Sequence, residues 1–270
     1  MHRGIHGRKR DCEHRLACHL ADRGRLFVGH ALGANSGGGG AVKRIGLLGG
    51  MSWESSAEYY RFVNEEVRER LGGLHSADCV LRSVDFAPIE ELQRTGRWDE
   101  AGPILAAEAS ALVFAGAELI VLCTNTMHKL ADWIVEAVDV PFVHIADATA
   151  DAVRSAGMKT VGLLATAYTM EQEFYTGRLR SHGLEVLTPD ATDRRVVHDV
   201  IYSELCVGVI DESSRDEYRR IMRALAERGA ECILFGCTEI ELLVGTQDSP
   251  VPVFDTTRLH AAKAVELALR

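Results

Sequence analysis

Two short polar segments carry the side chains best suited to chemistry, and each follows an apolar run. Residues 123–126 read Cys-Thr-Asn-Thr after the run 119–122, and residues 236–239 read Gly-Cys-Thr-Glu after the run 232–235. A thiol can serve as a base because a helix N-terminus or cationic neighbours lower its pKa into the working range. Hydroxyls and free N–H groups at a strand-to-helix turn suit a carboxylate ligand. The segments therefore predict a site that binds a small carboxylate beside a thiol.

The apolar runs have the length and composition of buried strands. Residues 45–48, 118–123 and 142–145 are such runs, and a helical pattern over residues 55–71 separates the first two. Strands that are apolar on both faces and alternate with helices are typical of a parallel sheet covered on both sides. The sequence therefore predicts an α/β fold, with the polar segments at the carboxyl ends of its strands.

The same pattern occurs twice along the chain. Residues 43–48 (KRIGLL) match residues 159–164 (KTVGLL) at an offset of 116, and two further pairs follow in the same order. Those pairs are 115–118 with 228–231 and 140–143 with 251–254. The nearly constant offset predicts two pseudo-symmetric lobes, each a parallel β-sheet flanked by helices. Since ligands bind beyond the carboxyl ends of such strands, we expect the active site in the cleft between the lobes.

The repeat also pairs the two candidate chemical positions. When Gly116 is aligned with Gly229, Thr124 falls on Cys237, and Cys123 lies one residue too early. Side chains alternate between the faces of a strand, so this shift turns Cys123 away from the cleft. Of these two thiols, Cys237 is therefore the one expected to face the cleft. Thr124 can orient a ligand or relay a proton, because an aliphatic hydroxyl has no comparable ionisation.

Three motifs resemble the aspartate/glutamate racemase family and occur in the family's order. They are residues 46–55 (GLLGGMSWES), 123–128 (CTNTMH) and 235–240 (FGCTEI). The likeness covers essentially all of residues 43–270 and is strongest to the branch of amino-acid racemases that act on aspartate and glutamate. It implies two α/β lobes, a reaction without pyridoxal phosphate or another cofactor, and one cysteine from each lobe in the cleft. In this chain the family's first cysteine position is occupied by Thr124.

The resemblance implies an amino-acid racemase that acts on L-aspartate, L-glutamate or related amino acids. In the family one thiolate removes the α-proton, and the opposite thiol returns a proton to the other face. The resemblance implies that Cys237 is the thiolate base and faces the α-proton of the L-enantiomer. With Thr124 on the opposite side, we expect the L-enantiomer to be accepted much better than the D-enantiomer, with slow turnover. The residues expected to bind substrate are Met51, Gln93, Thr124, Asn125, Thr126, Thr166, Thr238 and Glu239.

Composition excludes several other classes of protein. The net charge of −9 argues against a dedicated nucleic-acid binder, and no apolar run is long enough to predict a membrane span. The seven cysteines include no CxxC pair, so we expect reduced thiols in the cytoplasm rather than a disulfide framework or a metal site. By analogy with the family, we expect a homodimer whose other partner is a small-molecule amino acid.

The charge is divided unevenly along the chain. Residues 1–40 carry +4 and end in a glycine-rich stretch, whereas the remaining 230 residues carry −13. We interpret residues 1–42 as a flexible, disordered basic leader: an upstream-start or added extension, a basic tail with its own role, or a targeting segment. Its cysteines and histidines between residues 12 and 19 lack the spacing of a standard zinc finger. The first lobe is expected to comprise residues 43–140 with a C-terminal helix over 257–270, and the second lobe residues 141–256.

Two other interpretations of the cleft stay open. The first is a related reaction on the same scaffold, of the hydantoin racemase, maleate isomerase or arylmalonate decarboxylase type. A single cysteine is compatible with decarboxylation, because only one face needs a proton. The second is a non-catalytic amino-acid sensor. Exchange of the α-proton with solvent deuterium separates a racemase from a sensor.

Overall fold

Strands and helices alternate throughout the part of the chain that the structure describes, which is residues 42–270 of a computed structural model. The predicted leader, with its glycine-rich stretch and its cysteines and histidines, lies outside the described residues. The predicted lobes fall within them and can be compared with the observed elements.

The first sheet is parallel and has four strands in the order β2-β1-β3-β4. Buried runs form β1 and β3, while β2 is an edge strand with largely exposed side chains. The strands are β1 (Ile45–Gly49), β2 (Cys79–Ser83), β3 (Leu119–Leu122) and β4 (Phe142–Val143). The helices are α1 (Trp53–Leu71), α2 (Phe86–Arg94), α3 (Trp98–Phe114) and α4 (Ala131–Ala137), with a 3₁₀ turn at Thr126–Leu130.

The second sheet repeats this arrangement in the order β6-β5-β7-β8, again parallel. Its strands are β5 (Thr160–Leu164), β6 (Glu185–Leu187), β7 (Cys232–Phe235) and β8 (Val253–Asp255). The helices that follow α4 in the chain are α5 (Ile145–Ser155), α6 (Ala167–Glu171), α7 (Glu173–Ser181), α8 (Ala191–Ser203), α9 (Glu212–Glu227), α10 (Ile240–Leu243) and α11 (Thr256–Ala268). The predicted fold class is confirmed, since two parallel sheets of equal strand order occur in succession.

Each sheet is covered in part by a helix that follows the last strand of the other. Ile145, Ala150 and Val153 of α5 belong to the buried cluster of the second sheet. Ala261 and Val265 of α11 belong to the buried cluster that contains β1 and β3 of the first sheet. Each lobe therefore contributes a helix to the core of the other. The walls of the cleft between the lobes are supported by both sheets.

The first sheet extends past residue 140, the predicted limit of the first lobe. Strand β4 pairs with β3, and Ile120 N donates to Pro141 O at 2.8 Å. The sheet of the first lobe therefore reaches Val143. A short apolar run carries no local signal for the sheet that it joins, because the pairing partner decides this.

The turn after β1 is built for close packing. Gly50 has φ +95, and a Cβ at this position would lie 2.3 Å from the backbone oxygen of Val84. Glycine is the residue that tolerates both conditions. The chain then enters α1, whose N-cap is Ser52 with its hydroxyl accepting from Ser55 N. The turn thereby places Met51 and Ser52 at the carboxyl end of the sheet.

Among residues 42–270, no helix has both the length and the apolar character needed to cross a membrane.

Candidate active site

One cavity is lined by residues that lie two or three positions beyond the ends of strands in both sheets. Met51 and Ser52 follow β1, Thr124 follows β3, Thr166 follows β5 and Cys237 follows β7. The cavity has about 570 Å³ of space free of protein atoms, part of it open to solvent. This is the position expected for a ligand of parallel sheets. All nine residues nominated from sequence line it: Met51, Gln93, Thr124, Asn125, Thr126, Thr166, Cys237, Thr238 and Glu239.

Two neighbouring residues at the end of β3 have side chains in different environments. Cys123 is fully buried in the core of the first lobe, whereas Thr124 is half-buried and lines the cavity. Burial raises the pKa of the Cys123 thiol well above its usual range, with the Cys79 thiol adding to the shift. The arrangement follows the alternation of side chains along a strand. Cys123 therefore does not have the position of a base for the cavity.

The end of β7 presents a thiol paired with a carboxylate. Cys237 Sγ donates to Glu239 Oε2 at 2.8 Å, and Glu239 Oε1 accepts from the Ser52 hydroxyl at 2.8 Å. Burial and the charge of Glu239 raise the pKa of Cys237 well above its usual range. Since Ser52 comes from the first lobe, the carboxylate links both lobes at the thiol. The end of β7 thus pairs a thiol donor with a carboxylate acceptor.

Hydroxyl groups that line the cavity also join the two lobes. Ser55 Oγ lies 2.8 Å from Thr238 Oγ1, which lies 3.1 Å from Thr257 Oγ1. Thr126 Oγ1 lies 3.1 Å from Thr166 Oγ1. Because hydroxyls both donate and accept, such a network can reorganise around a bound carboxylate without losing its partners.

Buried histidines fix the backbone beside Thr124. His128 Nδ1 lies 2.7 Å from Thr124 O, and His128 Nε2 accepts from Ile145 N at 3.2 Å. A carbonyl can only accept and an amide N–H can only donate, so His128 is the neutral tautomer with its proton on Nδ1. Burial, together with His144 and His260, holds its pKa well below the usual range. His128 thus ties the end of β3 to the start of α5.

The remaining wall of the cavity comes from helices, and we call it the helix wall. It consists of Phe86 and Gln93 from α2, Ile201 and Tyr202 from α8, and Cys206 just beyond α8. Gln93 is 3% exposed, and its Nε2 donates to Tyr202 Oη at 2.9 Å. Its Oε1 is buried without a hydrogen-bond partner. The helix wall is therefore apolar apart from one fixed amide and one phenol.

Sequence reasoning missed the lining residues that do not follow the two polar segments. Ser55 stands in the motif 46–55, where the cap pattern around α1 was the available signal. Ile201 and Tyr202 belong to an amphipathic helix whose pattern resembles that of any core helix. No signal in a single sequence distinguishes such residues from ordinary packing.

Comparisons with known proteins agree with this geometry. The Asp/Glu/Hydantoin racemase family matches residues 48–264. The crystal structure of a candidate Asp/Glu racemase from Yersinia pestis is 56% identical, has a TM-score of 0.81, and covers 84% of this chain and 100% of its own. That of an aspartate racemase homologue from Pyrococcus horikoshii OT3 is 34% identical, has a TM-score of 0.75, and covers the same shares.

A curated relative is more distant in sequence but of similar length. The broad specificity amino-acid racemase RacX of Bacillus subtilis (strain 168) is 23% identical over 229 residues, which are 83% of this chain and 98% of that protein. The family match spans most of the chain and includes both strand-end turns of the cavity. The chain therefore belongs to the Asp/Glu/Hydantoin racemase family and is an isomerase of the amino-acid racemase type.

Proposed function

We propose that this protein is a cofactor-independent racemase in which Cys237 removes the α-proton of an L-amino acid, with Thr124 at the family's other catalytic position. The first candidates for the substrate are L-aspartate, L-glutamate and related amino acids, since the relatives include an aspartate racemase homologue and a broad specificity racemase. The single observation that carries the proposal is the contact between Cys237 and Glu239 in a cavity that Thr124 also lines.

Glu239 gives the thiol a route to ionisation. Its Oε2 lies 2.8 Å from Cys237 Sγ and can accept the thiol proton. Thiols become effective nucleophiles and bases when an adjacent group takes their proton. A substrate brings an α-ammonium group whose positive charge offsets the single negative charge that the thiol and the carboxyl group share. Binding of the amino acid therefore favours the ionised thiol that the reaction needs.

Polar groups at the strand ends suit the two charged groups on the substrate's α-carbon. Asn125 Oδ1 is buried without a hydrogen-bond partner, so it can accept from an ammonium N–H. The hydroxyls of Thr126 and Thr238 and the backbone amides of their turns can donate to the α-carboxylate. These contacts would hold the α-carbon between the Cys237 turn and the Thr124 turn.

The two faces of the substrate would then exchange protons at different rates. The Cys237 thiolate takes the α-proton, the Cα–H bond breaks, and its electron pair is delocalised into the carboxylate. On the other face, Thr124 can relay a proton from solvent but does not ionise as a thiol does. Because a racemisation has an equilibrium constant of one, kcat/KM must be equal for the two enantiomers. The asymmetry is therefore expected in α-proton exchange with solvent, which the equilibrium constant does not constrain.

Deuterium exchange tests the proposal across a panel of amino acids. The protein is incubated in D2O with single L-amino acids, including aspartate and glutamate, and loss of the α-proton is followed by ¹H NMR. We expect exchange with at least one amino acid and slower accumulation of its D-enantiomer. Binding without exchange would contradict the racemase function and favour a non-catalytic amino-acid sensor. Carbon dioxide release from a substituted malonate, without amino-acid exchange, would favour the decarboxylase reaction.

We also propose a cytoplasmic location and a homodimer. The cysteines in the described part of the chain are free thiols, which suits a reducing compartment. The homodimer rests on analogy with the family. Light scattering coupled to size-exclusion chromatography gives the oligomeric state, and a monomer at assay concentration would contradict the dimer.

A further inference from the structure

The cavity offers different chemistry at its two sides. The strand-end turns carry the reactive Cys237 and the hydroxyls, so the α-carbon and its charged groups belong there under the proposed function. The substrate side chain then extends towards the helix wall. The groups of that wall decide which side chain is accepted.

Gln93 is the polar group at the centre of this wall. It is almost fully buried and is held by its hydrogen bond to Tyr202 Oη at 2.9 Å. Its Oε1 is a buried acceptor without a partner, and such a group is costly unless a ligand donates to it. Whichever way the amide is turned, it presents an uncharged donor or acceptor. It therefore complements an uncharged polar group on the substrate.

The charge of the cavity also favours an uncharged substrate side chain. Among the described residues that line it, Glu239 is the one with a formal charge at neutral pH, and that charge is negative. Neighbouring side chains of the helix wall are Phe86, Ile201 and Cys206, which cannot compensate a carboxylate. A second carboxylate on the substrate would lose its hydration there without gaining a cation.

We propose that Gln93 determines specificity and that the preferred substrates are L-amino acids with an uncharged, hydrogen-bonding side chain, such as a terminal amide or hydroxyl. A terminal amide supplies the N–H that Gln93 Oε1 lacks, while its oxygen can accept from the amide or phenol of the wall. This inference rests on the proposed racemase function and narrows its substrate class away from the dicarboxylic amino acids.

The test compares substrates of nearly equal shape. Rates of α-proton exchange in D2O are measured for L-glutamine against L-glutamate, L-asparagine against L-aspartate, and L-homoserine against L-norvaline. We expect each amide to exceed its acid in kcat/KM by about 100-fold, because a site built for hydrogen bonds rejects ligands that leave its buried groups unpaired. Equal or faster exchange of the acids would overturn the inference and leave the racemase function standing. No exchange with any amino acid would contradict both the inference and the racemase function.

Variants of Gln93 test whether this residue selects substrates by their side chains. Gln93→Leu is expected to lower the ratio of kcat/KM for L-glutamine over L-norvaline by about tenfold, the usual effect of one lost hydrogen bond. Gln93→Lys is expected to move the preference towards L-glutamate, because it adds the missing cation. Gln247→Leu makes the same chemical change as the first variant at an exposed site and should leave the ratios unchanged. Unaltered ratios in both Gln93 variants, with folding verified by circular dichroism, would contradict the assignment.

Discussion

The turns after β3 and β7 occupy equivalent places in the two lobes, yet they carry different chemistry. After β7 a thiol faces the cavity with a carboxylate 2.8 Å away. After β3 a hydroxyl faces the cavity, and the neighbouring thiol of Cys123 is buried in the core. In the first lobe the position equivalent to Glu239 is occupied by Thr126. Its hydroxyl forms a hydrogen bond with the Thr166 hydroxyl, whereas Glu239 accepts a hydrogen bond from a thiol. The duplicated fold thus keeps its shape while its two halves differ in acid–base capacity.

Position distinguishes the two thiols, because one lines the cavity and the other lies in the core. Cys123 and Cys237 lie one residue apart in the aligned repeats, and burial raises the pKa of both. Only Cys237 combines contact with the cavity and an adjacent proton acceptor among the described cysteines. One-sided proton transfer is therefore the central expectation for this enzyme.

The largest effect is expected from replacing each of these two cysteines in turn. Cys237→Ala removes the proposed base, and α-proton exchange should fall by about 1,000-fold or more, within the range usual for a lost acid–base or nucleophilic group. Cys123→Ala is the matched control: it should keep exchange near the wild-type rate, although the core loses some packing. Comparable exchange in the two variants would contradict the assignment of Cys237, and not Cys123, as the base.

A second variant makes the two turns alike. Thr124→Cys places a thiol on the other face, so exchange of the D-enantiomer should rise by about 10- to 100-fold, as expected for added general acid–base catalysis. Thr124→Ser keeps a hydroxyl and should not give this gain. The measurement is the loss of the α-proton from each pure D-amino acid in D2O. A decrease or no change in the cysteine variant would argue that Thr124 does not face the α-carbon.

The third variant removes the carboxylate that distinguishes the β7 turn. In Glu239→Gln the negative charge that helps raise the pKa of Cys237 is lost, so the thiol should ionise at lower pH than in the wild type. The rate of alkylation by iodoacetamide as a function of pH reports this ionisation. The α-proton exchange should nevertheless fall, by about tenfold or more, because the proton acceptor is absent. An unchanged alkylation profile would contradict the role given to Glu239.

The smallest effect concerns the histidines that hold the β3 turn. Burial keeps the pKa of His128 well below its usual range, that of His144 at about 3 and that of His260 at about 4. The unfolded chain binds protons below about pH 6.5 and the folded chain does not, so the free energy of unfolding should decrease as the pH falls from about 6.5 to about 4.

Replacing one of these histidines should weaken that pH dependence. His128→Asn is expected to lower the slope of unfolding free energy against pH by up to about 1.4 kcal/mol per pH unit between about pH 4.5 and 6. Urea unfolding of the wild type and of the variant at several pH values gives both slopes. Equal slopes in the two proteins would show that His128 is not a buried neutral group.

The sequence predicted the parts of the fold that repeat and the parts of the site that follow strands. The matched segments 43–48 and 159–164 are β1 and β5 with their flanks, and the strand ends placed Thr124 and Cys237 correctly in the cavity. The edge strand β2 was missed because its exposed side chains lack an apolar signature. Ile201 and Tyr202 were missed because tertiary packing, rather than local pattern, brings their helix to the cleft.

Exchange of the α-proton from each pure enantiomer, measured separately in D2O under identical conditions, tests one-sided proton transfer most directly. With the best substrate of the panel, we expect the L-enantiomer to gain deuterium with retained configuration faster than it is racemised. The D-enantiomer should lose its α-proton much more slowly at saturating concentration. Equal exchange rates for the two enantiomers would contradict one-sided transfer, because they would require equally competent acid–base groups at Thr124 and Cys237.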